Sequence, residues 1–160
     1  MVMGMQTMER AQERAIGIWL MVCCATLLAL VMLGGATRLT ESGLSIVDWR
    51  PVTGVLPPMG EEAWQAEFSK YRQSPQYTKV NQGMSLDDFQ VIFWYEYGHR
   101  LLARFLGLLF ALPLLWFWVR RAIPPQLRWP LVGILALGAA QGYMGWFMVK
   151  SGLVDIPRVS

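Results

Sequence analysis

The sequence has little charge, and this limits the classes of protein to which it can belong. Asp, Glu, Lys and Arg make up 16% of its 160 residues, whereas soluble domains average about 25%. A chain with so few charges cannot cover a surface that faces water. Disorder requires low hydrophobicity and high net charge, but hydrophobic residues make up 54% here and the net charge is +3. The composition therefore indicates a membrane protein.

Cysteine and histidine are also scarce. Cys23 and Cys24 are adjacent inside an apolar run, and neighbours on a helix point about 100° apart. We expect two small buried apolar residues rather than a disulfide or a metal site. The single histidine, His99, cannot supply a bis-histidine site by itself. Basic residues lie at the ends of apolar runs rather than on one face, which argues against nucleic acid as a partner.

Three stretches are long and apolar enough for a lipid bilayer, whose hydrocarbon core of roughly 30 Å takes about 20 helical residues to cross. Residues 16–36 and 129–149 number 21 each, and the first stretch carries no charge. Residues 101–119 form a third stretch, which Arg104 and Pro113 interrupt. The sequence thus predicts an all-α bundle with three transmembrane helices.

The middle helix is predicted to begin well before its apolar stretch. Ser85 is followed three residues later by Asp88, which resembles a capping box. A helix from there to Val119 would be about 34 residues or roughly 50 Å long, and Pro113 should kink its inner half. Its first turns should project outward or line a protein-shielded cavity. The predicted spans are about residues 16–37, 88–120 and 129–149, with an outer segment at 38–86.

Two further patterns concern helix packing. Residues 61–72, after the break at Pro57-Pro58, form a predicted short helix with Trp64, Phe68 and Tyr71 on one face. Such a face is typical of a helix at the membrane surface, or of one that packs against the rest of the protein. In the third span, the small residues of Gly138-x-x-x-Gly142 are suited to close helix packing.

The distribution of basic residues predicts the orientation. Residues 120–128 hold three arginines and no acid, and the N-terminus carries Arg10 and Arg14. Residues 38–86 instead mix basic with acidic side chains. By the positive-inside rule, we expect the N-terminus and residues 120–128 in the cytoplasm. The outer segment and the C-terminal tail would then lie outside the inner (plasma) membrane.

A polar stripe lies at the outer mouth of the second span. Glu96, His99 and Arg100 share one helix face, and Arg104 lies close to it. Charged groups in membrane helices usually face the protein interior or a wet cavity. An imidazole can ligate haem iron, arginines can bind propionates, and a carboxylate can handle protons. Alternatively, Glu96 and Arg100 form an ion pair and His99 anchors the helix at the lipid headgroups.

Three blocks of sequence stand out together. They are LGGATRLTESGLS (33–45) with VDWRPVTG (47–54) and Pro57-Pro58, FWYEYGHR (93–100) with Gly107, and QGYMGWFMVKSGL (141–153). With the spans between them, these blocks closely resemble the haem A synthase family over nearly everything from about residue 15 to 160. The first outer loop lacks the cysteine pair of one branch, so the resemblance is to the proteobacterial and mitochondrial branch.

The resemblance implies a multi-pass enzyme that oxidises the C8 methyl group of haem O to the formyl group of haem A for cytochrome oxidase. The family has two similar four-helix halves with two histidines each; one half holds haem b and the other is thought to hold the substrate haem.

Individual roles follow from the same resemblance. His99 matches the first histidine of the N-terminal half and would be an axial ligand of haem iron. Glu96 matches an acid implicated in catalysis; it would stabilise positive charge at the reacting methyl group and accept a proton from water. Arg38 ends the first span at the same depth as His99, so we predict that it and Arg100 contact propionates. Arg104, one turn deeper, would pair with Glu96 or with a backbone carbonyl.

The chain departs from the family in length. Members are about twice as long, and their second histidine would follow shortly after residues 157–160. The resemblance therefore implies that residues 1–160 are the N-terminal part of a longer enzyme, which we do not expect to hold six-coordinate haem or to turn over alone. Its partners would be the lipid bilayer, a C-terminal half or oligomer mates, haem O synthase and oxidase assembly factors. Two alternatives remain: a haem-binding electron-transfer membrane subunit, and a non-catalytic oxidase assembly partner.

Overall fold

The computed structural model describes residues 2–50 and 53–151, and within these ranges it contains helices and no strand. Three helices are long and apolar enough to cross a membrane, which confirms the predicted all-α membrane bundle. The predicted outer tail at 152–160 lies outside the described residues. The α-helices are α1 (Val2–Leu39), α2 (Glu61–Tyr71), α3 (Pro75–Lys79), α4 (Leu86–Val119) and α5 (Pro125–Ser151), with a 3₁₀ turn at Thr53–Val55.

The middle span has the length that its sequence predicts. Ser85 is the N-cap of α4, and its side chain accepts a hydrogen bond from the backbone N–H of Asp88 at 3.2 Å. The Asp88 carboxylate in turn accepts from the Ser85 hydroxyl at 2.6 Å. The helix then continues for 34 residues and passes through Pro113.

The two other membrane helices extend beyond their predicted spans. α1 begins at Val2, and α5 begins at Pro125 and contains Pro130. α3 was not expected from the sequence. Its signal is Ser74 followed by Pro75: the Ser74 side chain accepts from Tyr77 N–H at 3.2 Å, and proline is well suited to the first helical position.

α1 and α4 pack antiparallel and form the main helix pair. The Trp19 indole of α1 donates to the Leu109 carbonyl at 2.8 Å, whereas Gly34, further along α1, lies against His99. In a regular helix the Leu109 carbonyl would accept from residue 113. Pro113 has no N–H to give, so the neighbouring helix satisfies this carbonyl instead.

Two cores lie at opposite ends of α4. One core joins α1, α4, the α4–α5 turn and the start of α5; its buried members are Ile16, Trp19, Cys23, Phe110, Leu114, Ile123 and Leu131. The other joins α2 to the projecting turns of α4; its buried members are Phe68, Tyr71, Phe89, Ile92 and Phe93. The aromatic face of α2 thus packs on α4, as one of the two alternatives for this helix predicted.

The structure bears on two predictions about small residues, one for the adjacent cysteines and one for the glycines of α5. Cys23 is buried, but Cys24 is exposed, so the prediction that both are buried is wrong for Cys24, because successive helical residues face different sides. Apart from the adjacent residues and backbone of α5 itself, no described atom lies within 4 Å of a Cβ built on Gly138 or Gly142. The small-residue face of α5 therefore makes no close contact with the described part of the chain.

Candidate functional site

The end of α1 shapes the chain so that it returns to α4. Ser42 N–H donates to the Thr37 carbonyl at 2.9 Å and Glu41 N–H to the Arg38 carbonyl at 3.2 Å. These are the two bonds of a Schellman motif, and Glu41 takes the left-handed position with φ 50°. The turn brings residues 44–46 against the outer half of α4.

Glu96 is enclosed by this returning segment. Its side chain is on the buried face of α4 and the residue is only 3% exposed. One carboxylate oxygen, Oε2, accepts from the Ser45 hydroxyl at 2.7 Å and from the Ile46 backbone N–H at 2.7 Å. The other, Oε1, accepts from the Arg100 guanidinium. A buried carboxylate needs such donors, since an unpaired buried charge is very costly.

Arg100 ties the carboxylate to the loop. Besides pairing with Glu96, its Nη2 donates to the Ile46 carbonyl at 2.9 Å and its Nη1 to the Asp48 carbonyl at 3.3 Å. Its guanidinium also lies 5.5 Å from the centre of the Trp49 ring. The predicted ion pair between Glu96 and Arg100 is therefore present, and it holds the loop after α1 on α4.

His99 lies at the contact between α1 and α4, one turn from Glu96. Its ring is half-buried, and a Cβ built on Gly34 would come within 3.1 Å of its Nε2. Glycine at this position is therefore what allows the imidazole to approach the α1 backbone. Among the described residues, neither ring nitrogen makes a hydrogen bond, and Nε2 is the one that faces Gly34.

The two remaining predicted arginines differ in their surroundings. Arg38 is exposed on the last turn of α1, one turn beyond Gly34 and on the same side of that helix. Arg104 donates from Nη2 to the Arg50 carbonyl at 3.0 Å, which is one of the two partners predicted for it. Of the two candidates for propionate contacts, Arg38 is the more accessible, because Arg100 is held by protein acceptors.

A surface ion network lies beside this loop and holds it to α2. Lys70 Nζ is 3.1 Å from Asp48 Oδ2 and 2.8 Å from Glu67 Oε1. Burial raises the pKa of Asp48, but its bonds and charge contacts with Lys70 and Arg50 outweigh this and lower the pKa overall. The hydrogen bond to Glu67, followed by that to Asp48, raises the pKa of Lys70 despite some desolvation.

Sequence reasoning found the stripe on α4 but missed its partners. Glu96, His99 and Arg100 were recognisable because they are near in sequence. Ser45 lies 51 positions from Glu96, and no periodicity relates two residues so far apart. Gly34 carried a weak signal, since small residues allow close helix approach, but nothing in the sequence paired it with His99.

The fold and the site together define a class: a multi-pass helical membrane protein with a buried carboxylate–guanidinium pair and a histidine at one helix contact. Residues 17–160 match the family model COX15-CtaA, described as cytochrome oxidase assembly protein. Because this match covers most of the chain, the protein belongs to the COX15-CtaA family.

Several curated relatives are named heme A synthase. The chain is 56% identical to the protein of Nitrosospira multiformis over 150 residues, which is 94% of this chain and 42% of that protein. It is 54% identical to the one of Agrobacterium fabrum over 152 residues (95% and 42%). It is 60% identical to the one of Mesorhizobium japonicum over 142 residues (89% and 39%). The chain thus spans about two fifths of the length of these relatives. No solved structure matches it.

Proposed function

We propose that this chain provides part of a haem A synthase, an oxidoreductase that converts the C8 methyl group of haem O to the formyl group of haem A for cytochrome oxidase. Family membership and the names of the relatives support this assignment. The observation that carries it is the pairing of a buried, hydrogen-bonded carboxylate, Glu96, with a histidine one turn away. Electron transfer alone has no need of that acid.

The residues around His99 suit a haem. The ring nitrogens make no hydrogen bond within the described residues, and a glycine rather than a larger residue faces Nε2 from α1. His99 would therefore serve as an axial ligand to a haem, for which we propose haem b or the substrate haem O, and Arg38 and Arg100 would contact propionates. When bound, the haem iron supplies the redox chemistry. The second axial ligand would come from the rest of the protein or from another chain.

Glu96 has the position of a charge-stabilising group. Ser45, Ile46 N–H and Arg100 hold its two oxygens in place, so its distance from His99 is set by the fold rather than by side-chain freedom. Preorganised charge of this kind is most effective where water is excluded. We infer that the carboxylate would stabilise positive charge at the methyl carbon as electrons leave it for an electron acceptor outside this chain. It would also accept a proton from the water that supplies the formyl oxygen.

Two substitutions in the complete protein test this proposal. His99→Ala should remove one haem from the purified protein, seen as loss of part of the haem absorption. Glu96→Ala should retain haem O and fail to convert it to haem A, measured by extracting and separating the haems. Asp87→Asn, which changes an exposed acid of the same helix, is the matched control and should leave both measurements unchanged.

The same experiment separates the alternatives. A complete protein that binds no haem would indicate a non-catalytic partner in oxidase assembly. A protein that binds haem and still forms haem A after Glu96→Ala would exclude the catalytic role of this acid. Haem binding without any haem A formation by the unmodified protein would instead favour an electron-transfer subunit.

The membrane and the partners belong to the proposal as well. We propose that the chain lies in the inner (plasma) membrane with its N-terminus and residues 120–128 in the cytoplasm. The site of Glu96 and His99 would then lie in the outer half of the bilayer. Haem O synthase, which would supply the substrate, and oxidase assembly factors, which would receive the product, are the expected partners.

A further inference from the structure

A second site lies at the opposite end of α4 and goes beyond the proposed function. The turn from α4 to α5 borders a cavity of about 560 Å³. Two arginines form its polar side, and the remaining lining is apolar or aromatic. The lining residues are Trp118, Val119, Arg121, Ile123 and Arg128.

Arg121 occupies a backbone position that favours glycine. Its N–H donates to the Trp118 carbonyl at 3.0 Å, and the N–H of Ala122 donates to the Phe117 carbonyl at 2.9 Å. These two bonds form a Schellman motif, whose left-handed residue is usually glycine. Arg121 has φ 53° there, a conformation that is unfavourable for a side chain with a Cβ. The turn thus holds an arginine at a position where glycine would be more stable.

Arg128 is held in place from the other side of the cavity. Its Nε donates to the carbonyl of buried Ile123 at 3.2 Å, and its two terminal nitrogens remain for an acceptor in the cavity. Residues 120–128 contain no acid, and neither Arg121 nor Arg128 makes an ion pair with any residue that the structure describes. Two guanidiniums without a carboxylate are suited to an external anion.

The apolar side of the cavity indicates what kind of anion would bind. Trp118 and Val119 are 41% and 73% exposed at the end of a membrane helix, and nearby Trp129 is 77% exposed. Exposed tryptophans at this depth are typical of the boundary between hydrocarbon and headgroups. A ligand that fills the cavity therefore needs an anionic group for the arginines and an apolar part for the helix ends.

We propose that the α4–α5 turn binds the phosphate headgroup of an anionic phospholipid, with Arg121 and Arg128 on the phosphate and an acyl chain along Trp118 and Val119. Basic pockets between membrane helices bind such headgroups in other proteins. The site would fix the depth and tilt of the α4–α5 hairpin in the bilayer.

Arg120 offers a matched control within the same turn. Its guanidinium lies 4.4 Å from the centre of the Trp116 ring, and Arg120 does not line the cavity. Arg120→Gln removes the same charge from the same loop as Arg121→Gln and Arg128→Gln. A general attraction of the loop for anionic membranes would make the three variants equal.

The experiment measures lipid retained by the complete protein in detergent, by native mass spectrometry, with phosphatidylglycerol, phosphatidylcholine or inorganic phosphate added. Phosphatidylglycerol should be retained in preference to phosphatidylcholine. Arg121→Gln and Arg128→Gln should each weaken its retention about fivefold, the fold-change that corresponds to ~1 kcal/mol per basic residue, and Arg120→Gln should not. Equal losses in all three variants, or equal retention of both lipids, would overturn the proposal. So would saturation of the site by inorganic phosphate alone.

Arg121→Gly separates binding from folding. Glycine suits the left-handed position, so this variant should raise the thermal midpoint in detergent without added lipid and yet lose phosphatidylglycerol to the same extent as Arg121→Gln. A variant that is both more stable and unchanged in lipid retention would show that Arg121 does not bind the headgroup.

Discussion

At the scale of single residues, the position of the Glu96 carboxylate depends on a hydroxyl contributed by a distant loop. Ser45 donates to Oε2 at 2.7 Å, and hydrogen bonds to charged groups contribute about 1.5–3 kcal/mol. If this bond orients the carboxylate for the reaction, Ser45→Ala should lower kcat about 10- to 100-fold with little change in KM. The measurement is haem O conversion by the complete protein.

A conservative variant distinguishes positioning from mere stabilisation. Ser45→Thr keeps the hydroxyl and should restore most of the turnover, whereas Ser45→Ala should not. If Ser45→Ala lowered only the thermal midpoint and left kcat unchanged, the serine would hold the loop but not the reacting carboxylate.

Gly34 offers a second prediction at this scale. A methyl group on Gly34 would lie 3.1 Å from Nε2 of His99, so the ring must move by a few tenths of an ångström. Gly34→Ala should therefore weaken haem binding, by about tenfold if the shift is comparable to loss of an outer-shell partner. Titration of the protein with haem, followed by its absorption spectrum, measures this.

The neighbouring residue provides the control for Gly34. Gly35 is on the same helix, and a methyl group there would meet nothing within 4 Å. Gly35→Ala should bind haem as the unmodified protein does. Equal weakening by both substitutions would mean that helix propensity or membrane packing, and not contact with His99, explains the effect.

At the scale of helices, the pairing of α1 with α4 depends on a carbonyl that Pro113 leaves without its usual partner. Trp19→Phe should leave the Leu109 carbonyl with only the long 4.0 Å contact from the Cys23 thiol and cost about 1–3 kcal/mol. In a Pro113→Ala background the alanine N–H can bond to this carbonyl, so the same change should cost about 1 kcal/mol less. A double-mutant cycle of unfolding in detergent measures this difference.

An exposed tryptophan elsewhere in the chain serves as the control for that cycle. Trp129 is 77% exposed, so Trp129→Phe should have the same small effect with Pro113 or with alanine at that position. If Trp19→Phe also behaved additively with Pro113→Ala, the indole hydrogen bond would not compensate for the proline.

The contact of α2 with the loop that follows α1 should depend on pH. Asp48 has a lowered pKa, so its contribution to stability is present above its unfolded pKa of about 3.9 and is lost as pH falls through the lower folded value. Lys70 has a raised pKa, so its contribution is complete below about 10.4 and is lost as pH rises through the higher folded value.

Asp48→Asn tests this electrostatic contact. Both Asp48 and Lys70 are 38% exposed, so solvent screening limits their pairing to under about 1 kcal/mol. The variant should lower the thermal midpoint slightly at pH 7, and the difference from the unmodified protein should shrink as the pH falls through the lowered pKa of Asp48. A difference that persists at low pH would point to packing and not to charge.

At the scale of the whole molecule, we predict the orientation in the bilayer from the positions of the arginines. We predict that a cysteine introduced by Gln73→Cys, in the outer segment, reacts with a membrane-impermeant maleimide on intact cells. A cysteine introduced by Gln126→Cys, beside the arginines at 120–128, should react only after the membrane is permeabilised. Both glutamines are exposed, and replacing Cys23 and Cys24 by serine removes background labelling. The reverse pattern would invert the proposed topology.

Much of the architecture could be predicted because it is encoded locally. The length of α4 followed from a capping residue, Ser85, and from an unbroken helical pattern that ends near Val119. The polar stripe followed from the separation of Glu96, His99 and Arg100, since residues three and four apart share a helix face. The aromatic face of α2 was also recognisable from the sequence. The same pattern fits a face at the membrane surface and a face packed on the rest of the protein, so the sequence did not choose between them.

The amino-acid sequence by itself determined three apolar membrane spans and the polar stripe on the second, because each of these depends on neighbouring residues in one segment. Only the tertiary structure decided that Ser45 holds Glu96, that Gly34 faces His99 and that Trp19 bonds to the carbonyl of Leu109. These partners come from α1 and the loop that follows it. Their meeting with α4 depends on how two helices pack side by side, and no local pattern of residues specifies that register.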